Sequence, residues 1–425
     1  MSYESTLAYI HQVSWRGQKP GLSRTRDLLA ALGSPERQLR FVHIAGTNGK
    51  GSTAACLASI LQAAGYRVGL YTSPFLNRFN ERVQVNGVPI SDEDLEQVVD
   101  EIRPHADAMA DAPTEFELIT ALGFLYFARQ RCDIVVLEVG LGGELDSTNV
   151  IPAPECAVIT ALGMDHVREL GPTLADIARA KAGIIKPGTT VVSYGGAPEA
   201  DEVIAAKCRE TDCPLISAPF QHLTVHSTDL EGCRFDFDGL QDLTIPLLGA
   251  YQPKNAAVAV TAARVLKQRG WQISDEAIRR GLASVSWPGR FELLSRSPML
   301  ILDGSHNPHG MRATVDSLRA VFPGETFVFL LSVMADKDYP AMLDLLAPLA
   351  KEFFTVTANT PRALDAQALA EACRARGVPA TACGTIPQGL AAALEAGRGG
   401  VTVALGTLYF SGDVRQAFLA GQFGQ

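Results

Sequence analysis

The residues best suited to chemistry form the string Gly46-Thr-Asn-Gly-Lys-Gly-Ser52, which follows the apolar run Phe41-Val-His-Ile-Ala45. A buried strand, a glycine-rich turn and a helix start in succession make a phosphate cradle. The glycines let backbone amides approach an anion, and the positive end of the next helix points at the same place. Lys50 adds a full charge, and the Ser52 hydroxyl suits a phosphate-bound magnesium. The spacing departs from the usual G-x-x-x-x-G-K-[ST] loop, because Ile44 stands at the first glycine and Gly51 separates Lys50 from Ser52. A glycine-rich strand-to-helix turn with a surface lysine would show the same letters, so both readings stay open at this point.

Further candidates sit where other apolar runs end. Asp133-Ile-Val-Val-Leu-Glu138 closes on a carboxylate that is costly to bury unless paired or metal-bound. Cys156-Ala-Val-Ile-Thr160 leads to Asp165-His166, and Arg67-Val-Gly-Leu-Tyr71 leads to a polar segment, Thr72 to Arg82, that reads as a lid or substrate loop. Ligands of open α/β sheets gather at the carboxyl ends of strands, so Glu138 and the phosphate loop are expected to face one crevice. Lys181, at the end of a helix from Leu174 to Ala182, reads by itself as a solvated lysine favoured by the dipole, and Asn255 as a helix cap.

The elements that must position these groups alternate between strands and helices, which predicts an α/β protein with mainly parallel sheets. Asn86-Gly87 is a hairpin turn, Ser91-Asp-Glu-Asp a helix start, and Thr114-Glu-Phe-Glu117 introduces a helix running to Arg129. Residues 1–40 read as polar helices joined by a loop, Gln12 to Pro20, within reach of the nucleotide site. The runs Thr326–Leu331, Phe353–Thr357 and Val401–Leu405 imply a second, smaller sheet, with a domain boundary placed at residues 293/294.

A chain of 425 residues is long for one core, and 47% hydrophobic with 20% charged residues describes an ordinary globular protein. The net charge of −9, from 37 basic and 46 acidic residues, argues against nucleic acid as a partner. Eight scattered cysteines without C-x-x-C spacing suggest free thiols in a reducing compartment. With no signal pattern and no apolar run of about 18 residues, a cytoplasmic protein away from membranes is expected.

Taken together, the loop, Tyr71-Thr-Ser-Pro, Phe79-Asn-Glu-Arg82, Leu137-Glu-Val-Gly-Leu-Gly-Gly143, Leu145-Asp146, Thr148-Asn149, Asp165-His166, Lys181-Ala-Gly-Ile-Ile-Lys-Pro-Gly188, Trp287-Pro-Gly-Arg290, Asp303-Gly, His306-Asn-Pro308 and Met334-Ala-Asp-Lys-Asp338 resemble the bacterial folylpolyglutamate synthase and dihydrofolate synthase family of the Mur ligase superfamily. The resemblance implies a Mur-ligase-like P-loop ATPase domain, residues 1–293, and a smaller Rossmann-like glutamate-ligase domain, residues 294–425. It implies that Gly46, Thr47, Asn48, Gly49, Lys50, Gly51 and Ser52 hold ATP, with Asn255, Arg290, Asp303 and His306 also at the nucleotide. Ser73, Glu138 and His166 would ligate Mg2+, and Lys181 matches the lysine that the family carries as a carbamate. Lys50, His166 and Lys181 are the expected catalytic residues. Thr114, Glu115, Phe116, Glu117, Leu145, Asp146 and Ser147 fall where the family contacts a pterin.

The departures are Glu144 for an arginine, Phe75 for a histidine, and Ser147 and Ser305 for alanines. The implied reaction joins L-glutamate to a reduced folate, or to dihydropteroate, through an acyl phosphate made from ATP, in a monomer. The alternative is a Mur-type ligase acting on a UDP-linked muramyl substrate. The forty residues before the phosphate-loop strand offer no evident UDP-binding domain.

Overall fold

The computed structural model describes residues 2–12 and 21–421, so most of the expected loop at Gln12 to Pro20 lies outside the described residues. The chain forms two compact units. One contains the residues up to Gln221 together with Asn255–Ser284, and the other contains His222–Lys254 and the residues from Val285 onward.

The first unit is built on eight strands: β1 (Phe41–Ala45), β2 (Val68–Tyr71), β3 (Val83–Val85), β4 (Val88–Pro89), β5 (Ile134–Glu138), β6 (Cys156–Ile159), β7 (Thr190–Ser193) and β8 (Leu215–Ser217). Their order is β4-β3-β2-β5-β1-β6-β7-β8, with antiparallel pairing only from β2 to β4. Every residue of β1 and β5 is buried, as strands covered on both faces must be. On one face the helix Glu115–Arg129 packs Leu118, Leu122 and Phe124 against Phe41, Tyr71 and Leu137. Phe124 is fully buried and edge-on to Phe41 at 5.4 Å; truncating such a ring to alanine costs about 3–5 kcal/mol. The helix is set by a capping box in which Thr114 and Glu117 satisfy each other's amides. Asn86 and Gly87 turn the β3–β4 hairpin with φ of 50° and 75°, and Ser91 caps the helix Asp92–Asp107.

In the second unit β9 (Leu223–Asp229), β10 (Gly232–Phe237) and β11 (Leu240–Ile245) form an antiparallel meander. A six-stranded sheet follows, from β12 (Glu292–Arg296), β13 (Met299–Asp303), β14 (Phe327–Leu331), β15 (Ala350–Thr355), β16 (Ala380–Ala382) and β17 (Val401–Leu405). Its order is β12-β13-β17-β14-β15-β16, parallel except for β12. Ile301, Phe329, Phe353 and Val403 fill one face, while Leu302, Leu330 and Ala404 meet Phe410 and Val414 on the other.

The compact units do not follow a single cut near residue 293. Leu248 and Tyr251 pack into the core of the second unit, and the Ala250 amide donates to Ser317 Oγ at 2.9 Å. All eight cysteines are free thiols, seven of them buried and Cys383 half-buried. Among the described residues no helix is long and apolar enough to cross a membrane.

Candidate active site

Register brings four strand ends side by side. Ile44 of β1 pairs with Glu138 of β5 on one flank, and Ala45 pairs with Ile159 of β6 on the other. Tyr71 of β2 pairs with Leu137, which sets Ser73 beyond the end of β2 next to Glu138. Gly46 leaves β1 into a loop pinned to β6: the amides of Thr47 and Asn48 donate to the Ala161 carbonyl, and Thr160 Oγ1 donates to the Asn48 carbonyl at 2.9 Å. A Cβ at Gly46 would lie 1.8 Å from Thr160 Oγ1, so only glycine allows this approach.

Gly49 caps the helix Lys50–Ala63 at φ 84°, a left-handed conformation that favours glycine. Thr53 makes the first bond back to Gly49, so the amides of Lys50, Gly51 and Ser52 belong to the first turn of the helix. Asn255 is buried in the first turn of the helix Gln252–Gln268 and is not its cap; its Oδ1 lies 2.5 Å from where a Gly49 Cβ would be.

Lys50 Nζ lies 3.4 Å from the Thr47 carbonyl and 4.0 Å from Glu138 Oε1. The other Glu138 oxygen accepts from the Ser73 amide at 3.2 Å. The carboxylate at the end of this apolar strand is only 4% exposed, held between a cation and an amide. His166 follows Asp165 at the start of a short turn, with φ 51°, and its ring nitrogens lie 3.9 Å from the Asp165 and Glu169 carboxylates.

Lys181 is the largest revision to residue-by-residue reading. It is 5% exposed, not solvated, and its Nζ donates to the Gly46 carbonyl at 2.8 Å. Burial, reinforced by the charge of Lys50, pushes its pKa down to about 7, against the opposing pull of Asp165 and Asp146.

The segments 114–117 and 145–147 meet near the end of β5. Thr120 Oγ1 lies 3.2 Å from Ser147 Oγ, and Phe116 packs where a Gly140 side chain would be. Glu117 is buried and doubly bonded to Arg24, at 3.0 and 2.9 Å, besides receiving the Thr114 amide. Glu115 accepts from or pairs with His11 at 3.2 Å, and Leu145 is exposed. Asp146 accepts from the Leu141 amide at 2.8 Å and the Thr148 amide at 3.0 Å, while burial pushes its pKa upward. Phe75 lies beneath the guanidinium of Arg82, 5.1 Å from it.

In the second unit, buried Asp303 ends β13 and accepts from the amides of Phe291 and Ser305 and the hydroxyls of Thr314 and Tyr251. Arg290 packs against Gly304, whose amide donates to the Gly289 carbonyl. His306 donates from Nδ1 to the Gly304 carbonyl at 3.0 Å, which fixes that tautomer. Thr160, Thr314 and Tyr251 support the site residues but carried no signal in the sequence. Among the described residues no three histidine, cysteine, aspartate or glutamate side chains gather as a metal centre.

Two family models match the chain: the Mur ligase middle domain over residues 44–263 and the Mur ligase glutamate ligase domain over 289–408. The chain is 39% identical to a dihydrofolate synthase/folylpolyglutamate synthase of Bacillus subtilis, across 98% of this chain and 99% of the relative. Among solved structures, Mycobacterium tuberculosis folylpolyglutamate synthase complexed with ADP superposes with a TM-score of 0.91 at 32% identity, covering 99% of each chain. An FPGS–AMPPCP–folate complex matches with a TM-score of 0.87 at 38% identity, covering 99% of this chain and 100% of that one.

Proposed function

The chain belongs to the folylpolyglutamate synthase/dihydrofolate synthase family of the Mur ligases, and from that membership we propose an ATP-dependent ligase that adds L-glutamate to folates. The observation that carries the reading is the meeting of the glycine-rich loop with a buried carboxylate: Lys50 stands 4.0 Å from Glu138 at adjoining strand ends. The full-length relatives favour folate over a UDP-linked muramyl substrate. Dihydropteroate is a second acceptor in this proposal.

Gly46 to Ser52 bind the triphosphate, with the amides of the first helical turn on its oxygens. Asn255, Arg290, Asp303 and His306 are assigned to the nucleotide, and Thr114 to Glu117 with Leu145 to Ser147 to the pterin. A substrate carboxylate attacks the γ-phosphoryl group in line, the bond to the β–γ bridging oxygen breaks and ADP leaves, and Lys50 offsets the charge that develops. The amine of glutamate then attacks the acyl phosphate, and phosphate leaves from the tetrahedral intermediate.

Ser73, Glu138 and His166 would hold magnesium. The set fits: it is mostly hard oxygen with one carboxylate, leaving positions for phosphate and water, as Mg2+ prefers. When bound, the ion would supply charge neutralisation for the phosphate oxygens. Lys181 suits carbamate formation, since a lysine with its pKa lowered to about 7 presents the neutral amine that CO2 requires. We divide the catalytic roles near residue 293, supported by the spans of the two family models, and take the protein to be a cytoplasmic monomer.

Mass analysis of products from ATP, L-glutamate and either tetrahydrofolate or dihydropteroate tests the proposal. A mass gain of one glutamyl residue, lost in a folded Lys50→Ala variant, is expected. No glutamylated product with either acceptor, or near-normal turnover by Lys50→Ala, overturns it.

A further inference from the structure

His43 lies in the middle of β1, fully buried, at a position where an aliphatic residue would serve the strand. Its Nε2 is 2.9 Å from Thr148 Oγ1, and Thr148 Oγ1 is 2.5 Å from Asp146 Oδ1. The other ring nitrogen, Nδ1, is buried with no hydrogen-bond partner among the described residues. Lys186 stands behind this group, donating to the carbonyls of Asn149 at 2.9 Å and Ile151 at 2.5 Å, and so holds the chain that follows Thr148.

Counting protons resolves the direction of the chain. The Thr148 hydroxyl has one hydrogen and two neighbours. If it donates to the Asp146 carboxylate, His43 must donate through Nε2–H, and the atom left unpaired is a lone pair on Nδ1. If it donates to His43 instead, the hydrogen sits on Nδ1 and a buried N–H is stranded, the costlier of the two outcomes. A cationic ring is excluded by the same burial, helped by the charge of Lys186, which pushes the His43 pKa down to about 3. The order His43 to Thr148 to Asp146 is therefore the low-energy one. Asp146 passes it on, since its Oδ2 takes the amide of Leu141 in the loop that continues from Glu138.

We propose that His43 is a positioning residue for the folate ligase reaction: through the Thr148 hydroxyl and Asp146 it holds the segment Leu145–Ser147 in place for the pterin, from the strand that also carries the phosphate loop. The inference rests on the assignment of that segment to the pterin under the proposed function. It accounts for a neutral histidine in an otherwise apolar strand, and for a carboxylate occupied largely by the protein's own donors.

Thr148→Val removes the hydroxyl at nearly constant shape, and Thr148→Ser keeps it. We expect Thr148→Val to raise the KM for the pterin substrate by about tenfold, the effect of one buried hydrogen bond. KM for ATP should change less than about twofold, and Thr148→Ser should behave like the parent. An unchanged pterin KM in Thr148→Val, or equal rises for pterin and ATP, overturns the proposal. A second measurement needs no turnover: 15N spectra of the full chain with labelled histidine should show His43 as the neutral Nε2–H tautomer. Thr148→Val should perturb that signal. An Nδ1–H tautomer in the parent protein refutes the relay. Failure of the parent to glutamylate any folate would instead defeat the functional reading, leaving the tautomer to decide the relay separately.

Discussion

Lys181 Nζ donates to the Gly46 carbonyl at 2.8 Å, fastening the last turn of the helix Leu174–Ala182 to the first residue of the phosphate loop. The contact joins two segments to which the proposed reaction assigns roles. It also explains why this lysine is buried, since its partner is a main-chain carbonyl turned away from water.

Lys181→Ala is expected to lose at least about a hundredfold in kcat, the scale of removing one preorganised electrostatic group. If the lysine works as a carbamate, short-chain carboxylic acids should restore part of the activity. Steady-state assays with and without added acetate check this, and full activity in the unsupplemented variant would remove Lys181 from the mechanism.

The same residue makes stability depend on pH. Its ordinary pKa is 10.5 and its folded value about 7, so between these the unfolded chain binds a proton that the folded chain has released. Stability must then rise with pH from about 7 toward about 10.5, and the cost of burying the charge is complete below that window. Thermal midpoints of the parent and Lys181→Met, measured across the lower part of the window, should converge as pH rises. A constant gap would contradict the assignment.

Gly49→Ala places a Cβ 2.5 Å from Asn255 Oδ1 in a residue with φ 84°. The left-handed backbone alone costs about 1–2 kcal/mol. Gly188, at φ 87° with nothing within 4 Å of its Cβ position, supplies the control. Both alanine variants should lose similar backbone stability, while only Gly49→Ala should raise KM for ATP, by about tenfold or more. Nucleotide titration of the two variants separates the effects.

Asp303→Ala strands two amides and two hydroxyls in a buried pocket. A loss of about 3 kcal/mol in the stability of the second unit is expected, read by chemical denaturation. A change below about 0.5 kcal/mol would mean that solvent reaches those donors.

Much of this arrangement was legible beforehand because short-range patterns carry it. The apolar runs ending at Ala45, Glu138 and Ile159 mark strands whose parallel register then aligns their ends. Thr114 and Ser91 cap helices by local hydrogen bonds that the sequence spells out. What escaped depends on distant partners. Lys181 reads as a surface lysine until its helix packs against the phosphate loop, and Asn255 reads as a cap because the helix starts earlier, at Gln252. Residues 222–254 join the second unit through Leu248 and Tyr251, contacts that no local pattern announces. Thr160, Thr314 and His43 are ordinary residue types whose roles come from hydrogen bonds that form only once the chain has folded, to Asn48, Asp303 and Thr148 respectively.

The seclusion of the sulfur atoms has a practical outcome. Burial pushes the thiol of Cys56, Cys132, Cys156 and Cys373 up to about 12, and Cys208 and Cys233 to about 11, which leaves them almost no thiolate at neutrality. Cys383, just after β16, is half-buried where the other seven thiols are buried. A maleimide fluorophore is therefore expected to attach there first in the native enzyme, giving a spectroscopic reporter without any engineered cysteine.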